Sequence, residues 1–126
     1  PEGDAFRNGA YYLPTIIGGI DNSADVAQEE IFGPVLCFMT FEDEVQLIHD
    51  ANDSVYGLAA GLWTADYRKA WRVARKLQAG TVWINTYKQL SIAASFGGFK
   101  LSGFGREKGI QGMRAYQQPK SLYWAL

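Results

Sequence analysis

Histidine and cysteine each occur once in the 126-residue chain, as His49 and Cys37. A single cysteine excludes an internal disulfide and a multi-cysteine metal site, and it fits a reducing compartment. A single histidine leaves no pair of imidazoles for a metal and gives no support to a His-based Ser or Cys triad. No apolar run approaches the roughly 18 residues of a membrane span. Neither sign of charge is in excess. Twelve Lys and Arg against thirteen Asp and Glu give a net charge of -1, which points away from nucleic acid and from an anionic membrane as partners. The chain opens on Pro1 rather than Met, so further chain upstream is expected, and a targeting segment there stays open.

What is present is an ordinary globular mixture. Hydrophobic residues make up 48% and charged residues 20%, which argues against disorder. The length suits one domain burying roughly two-thirds of its unfolded surface. Aromatics reach 14%, and Tyr123 and Trp124 stand near the very end, an unusual place for them if the terminus is free in water.

Residues 1–10 are polar and Gly-rich and read as a loop. Tyr11 to Ile17 is a short β-rich run in which Pro14 marks an edge position or a strand start. Residues 35–41 form a continuous apolar run, as in a strand covered on both faces. Asp43 is placed as an N-cap with Gln46 completing a capping box, and Val45, Ile48 and Ala51 follow at helical spacing. Leu58 to Trp63 reads as a second strand. Asp66 caps what reads as the longest helix, with Ala70, Val73, Ala74 and Leu77 as its apolar stripe and Gly80 at C′. Thr81 to Asn85 is a third strand, and a helix is expected around 106–117 after a Gly-rich segment. The tail LYWAL (122–126) is strand-like. Alternation of strand and helix predicts an α/β fold with a mostly parallel, helix-covered sheet.

Several residues invite a chemical reading. Cys37 sits among Leu36, Phe38 and Met39 with no basic neighbour in sequence to lower its pKa, so core packing is favoured over a nucleophile. His49 is read as a surface residue. The segment GGFKLSGFGREKG (97–109) misses the Walker pattern, because Phe104-Gly105 rather than Lys-Ser/Thr follows Gly103, and its glycine spacing misses GxGxxG. Tight backbone packing is the favoured reason for those glycines. Asn85 lies at the carboxyl end of a central strand, where open α/β sheets put their ligand crevice, although Asn is also a common turn residue. In QEEIFGPV (28–35), Glu30 could accept hydrogen bonds from vicinal hydroxyls. On an extended chain Phe32 would share its face and could pack on a ring, although on the residues alone a surface acid beside a core phenylalanine is the favoured reading.

Together these stretches resemble the aldehyde dehydrogenase family. EEIFGPV (29–35), YGLAAGLWT (56–64), AGTVWIN (79–85) and FGGFKLSGFGRE (96–107) occur in the family's order and spacing, and Pro14-Thr15 ahead of them also matches. The resemblance covers nearly the whole chain. It implies oxidation of an aldehyde to an acid with NAD or NADP: a cysteine thiolate attacks the aldehyde, the thiohemiacetal gives hydride to nicotinamide, and a glutamate-activated water frees the acid. Glu30 matches the family's ribose-binding glutamate, and Phe32 the aromatic beside the nicotinamide half. Asn85 matches the end of the strand leading into the substrate tunnel, and Lys88, Leu90 and Phe96 match positions lining it. Lys88 stands where some relatives have an acid, and Ser95 where Pro often precedes Phe-Gly-Gly; both leave the choice of aldehyde open.

By the same resemblance, the nucleophilic cysteine, the general-base glutamate and the Rossmann-type domain precede this segment, so no catalytic residue is expected within the chain. Residues 1–118 correspond to the C-terminal part of the catalytic domain. Residues 119–126 correspond to an oligomerisation strand that would pair with another copy in a homo-oligomer. Metal is not implied, and a cytoplasmic location is expected. The rival reading is a naturally truncated, non-catalytic assembly or interaction module of the same family.

Overall fold

The structure is a computed structural model that describes residues 3–126. The chain divides into two compact units, one ending at Asp53 and one spanning Ser54–Leu126. The division also separates the charges. Residues 1–53 hold eleven acidic residues and one arginine, whereas residues 54–126 hold two acidic residues and eleven lysines and arginines. The near-neutral total conceals this.

In the first unit, β1 (Thr15–Ile17) pairs in parallel with β2 (Val35–Cys37), with Thr15 opposite Val35 and Ile17 opposite Cys37. Strand β1 starts directly after Pro14, as the missing amide of proline requires. The apolar run expected to be a strand over 35–41 is regular only to Cys37. Leu36, Phe38 and Phe41 are exposed, because no element of the unit covers their face. A single turn, α1 (Asp25–Gln28), and the helix α2 (Glu44–Asn52) complete the unit. Asp43 caps α2, its Oδ1 accepting from the amides of Val45 and Gln46 at 2.8 Å each. Gln46 reaches back to the amide of Glu42 at 2.9 Å, one residue before the cap rather than to the cap itself. Cys37 is half-buried and its thiol donates to Val26 O at 3.3 Å.

The second unit is built on β4 (Ala59–Leu62), α3 (Tyr67–Ala74) and β5 (Thr81–Ile84), with the two strands parallel and Ala59 opposite Thr81. Asp66 caps α3, accepting from Arg68 and Lys69 at 2.9 and 3.1 Å. Ala70 and Val73 of α3 are buried, as is Trp83 of β5. This β–α–β unit is therefore where the core sits.

Helix α3 stops at Ala74, short of Leu77, so α2 rather than α3 is the longer helix. Gly80 is not its C′ residue. It donates to Gly57 O at 3.1 Å, and a Cβ on it would overlap the carbonyl of Gly97. A close backbone crossing selects the glycine here.

Two features have no counterpart in the sequence pattern. β3 (Tyr56–Gly57) pairs antiparallel with β6 (Phe99–Lys100), and Phe96 bridges Glu107. The last helix, α4 (Gly109–Arg114), is shorter than the expected 106–117. Lys108, its N-cap, has φ of 59° and ψ of 172°, values outside the right-handed helical region, so α4 starts only after it. Residues 117–126 carry no regular secondary structure.

The fold class is α/β with parallel strands, but the described residues form three two-stranded ladders rather than one continuous sheet. The chain exposes 10768 Å², against about 6,700 Å² for a compact protein of its mass. The expected two-thirds burial is not reached, because much apolar surface finds no partner within the chain.

Candidate functional site

Glu30 and Phe32 follow α1. Glu29 ends that turn in an extended conformation, its amide donating to Asp25 O at 2.8 Å. Glu30 is exposed, and Phe32 is 93% exposed with φ of 50°. The alternation argument fails here, since a left-handed residue does not continue an extended chain. The ensuing Gly33-Pro34 turns the backbone into β2, with the Val35 amide donating to Gly33 O and that of Thr15 to Pro34 O. A bulky residue at positive φ is a true outlier, costing roughly 1–3 kcal/mol. Phe32 combines that cost with a ring left in water.

The remaining candidates lie in the second unit. Asn85 has φ of 53°, and its amide pairs with both backbone groups of Thr64: Oδ1 accepts from Thr64 N at 2.8 Å, and Nδ2 donates to Thr64 O at 2.9 Å. Its own amide donates to Leu62 O at 2.8 Å. The side chain thus adds a rung that closes the carboxyl ends of β4 and β5. It also borders a 350 Å³ cleft with Thr64, Tyr67 and Trp71.

From there residues 86–90 are anchored by the buried Trp83, whose Nε1 donates to Gln89 O at 2.7 Å. Tyr87 meets Trp83 edge-on at 5.3 Å. Lys88, with φ of 56°, carries its ammonium 5.4 Å from the centre of the Tyr87 ring. Leu90 directly follows the anchored carbonyl and is exposed. Phe96 is half-buried, exchanges 2.8 Å backbone bonds with Glu107 in both directions, and has Lys108 Nζ 5.9 Å from its ring.

Among the described residues five non-glycines adopt positive φ, and three of them are Phe32, Asn85 and Lys88. Strain of this kind clusters at ligand clamps and active sites. That signal was not visible in the sequence.

Trp83 and Arg106 are further organising residues that sequence reasoning passed over. Arg106 Nη1 donates to Gly98 O at 3.0 Å and Gly105 O at 2.6 Å, and its guanidinium lies 5.4 Å from the Phe99 ring. The Gly-rich segment therefore wraps a cation of its own chain. A Cβ on Gly98 would fall 2.6 Å from the Ser102 side chain, in line with the packing reading. The signal available was the single arginine inside a run of glycines. A 700 Å³ cleft beside this wrap is bordered by Phe96, Arg106, Glu107, Lys108 and Tyr116.

His49 is exposed, and its Nδ1 lies 3.0 Å from the Asp50 carboxylate. That hydrogen bond raises its pKa above the ordinary imidazole value. Among the described residues no group of three His, Cys, Asp or Glu could hold a metal ion, and no helix is long and apolar enough to cross a membrane.

The model of the aldehyde dehydrogenase family matches residues 2–122. Betaine aldehyde dehydrogenase 1 of Rhizobium meliloti (strain 1021) is 46% identical over 115 residues, covering 91% of this chain and 24% of the relative. Betaine aldehyde dehydrogenase of Bacillus subtilis (strain 168) is 45% identical over 123 residues, covering 98% of this chain and 25% of the relative. Among solved structures, betaine aldehyde dehydrogenase from Staphylococcus aureus in complex with NAD+ superposes with a TM-score of 0.88 at 41% identity, over 100% of this chain and 27% of that one. The C302A mutant of P. syringae indole-3-acetaldehyde dehydrogenase, in complex with NAD+ and IAA, gives 0.86 at 48% identity, over 92% and 23%. The chain thus spans about a quarter of the length of the relatives it matches.

Proposed function

The chain belongs to the aldehyde dehydrogenase family, and from that membership we propose that it is the segment of an NAD-dependent enzyme that contacts the nicotinamide half of the cofactor and lines part of the substrate channel. Phe32 carries the reading. A left-handed, solvent-facing phenylalanine beside the exposed carboxylate of Glu30 is unfavourable unless a ligand or further chain covers it. NAD, when bound, supplies the hydride acceptor. Glu30 accepts hydrogen bonds from the vicinal hydroxyls of its ribose, and Phe32 packs beside the nicotinamide half. Holding that half still matters because hydride transfer requires close approach to the substrate carbon. NAD is favoured over NADP because the two solved relatives described above are complexes with NAD+.

Asn85, Lys88, Leu90 and Phe96 border the channel in this reading. Asn85 acts there chiefly by closing the strand ends through Thr64. Lys88 disfavours an aldehyde carrying a quaternary ammonium, since like charges repel at close range. An uncharged or anionic aldehyde suits it better.

Nucleophile and general base belong to the part of the enzyme that this chain does not span, so the chain alone does not oxidise aldehydes. Cys37, half-buried and bonded to Val26 O, is not the nucleophile. The exposed tail favours a second role, pairing with another copy in a homo-oligomer. The rival, a purely non-catalytic assembly module, would keep that role alone.

Glu30→Gln in the enzyme that carries this segment tests the reading. A charge-assisted hydrogen bond contributes about 1.5–3 kcal/mol, so roughly ten- to a hundred-fold should appear in the KM for NAD or in kcat. Steady-state kinetics with both parameters at wild-type values would remove Glu30 from the site.

A further inference from the structure

We propose that Gln28, with Asn22 behind it, is a positioning residue that fixes the upstream end of the Glu30–Phe32 segment; the inference rests on the nicotinamide reading above. Helix α1 is a single turn with no buried residue, too short to be stable by itself. Gln28 is its last residue and stands two before Glu30. Its Nε2 donates to Asn22 O at 2.6 Å and to Asp53 O at 2.8 Å. Asn22 Nδ2 in turn faces Asp50 O at 3.2 Å, Asp53 O at 3.1 Å and Asp53 Oδ2 at 3.2 Å.

Carbonyls at the end of a helix have no partner within it. The two amides bond those of Asp50 and of the cap residue Asp53, from positions 25–31 residues away in sequence. The last turn of α2 thereby becomes the abutment for α1. Cys37, from β2, also holds α1 through Val26 O. Downstream the segment is fixed where the Thr15 amide meets Pro34 O at 2.9 Å. Glu30 and Phe32 thus lie on a short span whose two ends are tied to different elements. Both side chains of the upstream tie are half-buried, and the bonds to Asn22 O and Asp50 O are partly shielded from water, which strengthens those two relative to exposed ones. Gln28 also has to be an amide, because both its partners are acceptors and a carboxylate there would face two carbonyl oxygens.

Gln28→Met keeps the side-chain length and removes both donors. In the enzyme carrying this segment we expect kcat/KM for NAD to fall about five- to tenfold, and the emission of bound NADH to move toward that of free NADH. Inhibition by AMP, which occupies the adenosine half alone, and the melting temperature should stay near wild type. Gln28→Asn, whose amide is retained but drawn back by one methylene, should fall between, and it serves if the methionine variant fails to fold. Unchanged kinetics in Gln28→Met beside an impaired Glu30→Gln would overturn the positioning role and leave the nicotinamide reading standing. AMP inhibition weakened in step with NAD would also overturn it, since that marks general loosening. A silent Glu30→Gln would overturn the nicotinamide reading and the positioning role with it.

Discussion

Phe32 gathers two unfavourable features in one residue, a left-handed backbone and an aromatic ring in water. Only the first belongs to the chain's own stability, because the ring has little within its unit to lose. Phe32→Gly therefore relieves roughly 1–3 kcal/mol of strain against roughly 0.5–1 kcal/mol of added unfolded-state entropy. We expect the chain to become about 1 kcal/mol more stable while the full enzyme loses nicotinamide positioning. Phe32→Ala removes the ring but keeps the strained backbone, and should lose the positioning without the gain. Urea unfolding of the chain beside cofactor kinetics of the enzyme separates the two effects, and a glycine variant less stable than wild type would contradict the strain argument. Asn85 and Lys88 share the positive φ but not the isolation. Asn tolerates that region well, and the Asn85 amide is paired with both backbone groups of Thr64.

The helices show how far local chemistry reaches. Asp43 and Asp66 cap α2 and α3 as expected, because a cap depends on partners two and three residues ahead. Removing Asp66 strands two backbone amides at the start of the helix that supplies Ala70 and Val73 to the core. Asp66→Ala should cost about 1 kcal/mol, read as a lower urea midpoint with unchanged slope; a midpoint shift indistinguishable from zero would show α3 to be held by packing alone.

Other elements were hidden for equally physical reasons. The two-residue strands β3 and β6 are too short to carry a period. The start of α4 is set by the positive φ of Lys108, which residue type does not dictate. The Asn22–Gln28–Asp53 tie joins side chains to backbone carbonyls, and every residue has a carbonyl. Glu30, Phe32, Asn85, Lys88, Leu90 and Phe96 were legible as candidates chiefly through family resemblance; the strain at three of them needed the structure.

Taken whole, the chain shows more surface than its mass calls for. Tyr116, Leu122, Tyr123, Trp124 and Leu126 are all 85% or more exposed, a patch that normally marks an association surface. We propose that another copy covers the tail by adding its own strand. Truncation of residues 120–126 should convert an intact-chain dimer or larger assembly to monomer or aggregate in light scattering. Because the contact is apolar, the assembly should persist in 0.5 M salt, where the screening length shrinks to roughly 4–5 Å. An intact chain that stays monomeric and soluble at high concentration would refute this.

The boundary at Asp53 and Ser54 has an electrochemical side. Carboxylates lose their charge on mild acidification, whereas lysine and arginine do not. Eleven of the thirteen acidic residues lie before the boundary and eleven of the twelve basic ones after it. Acidification through the carboxylate range therefore removes charge mainly from one unit and leaves the other almost untouched. The molecule passes from near neutrality to strong positive charge chiefly through changes in its first 53 residues. Cut at the boundary, the two pieces would migrate toward opposite electrodes at neutral pH.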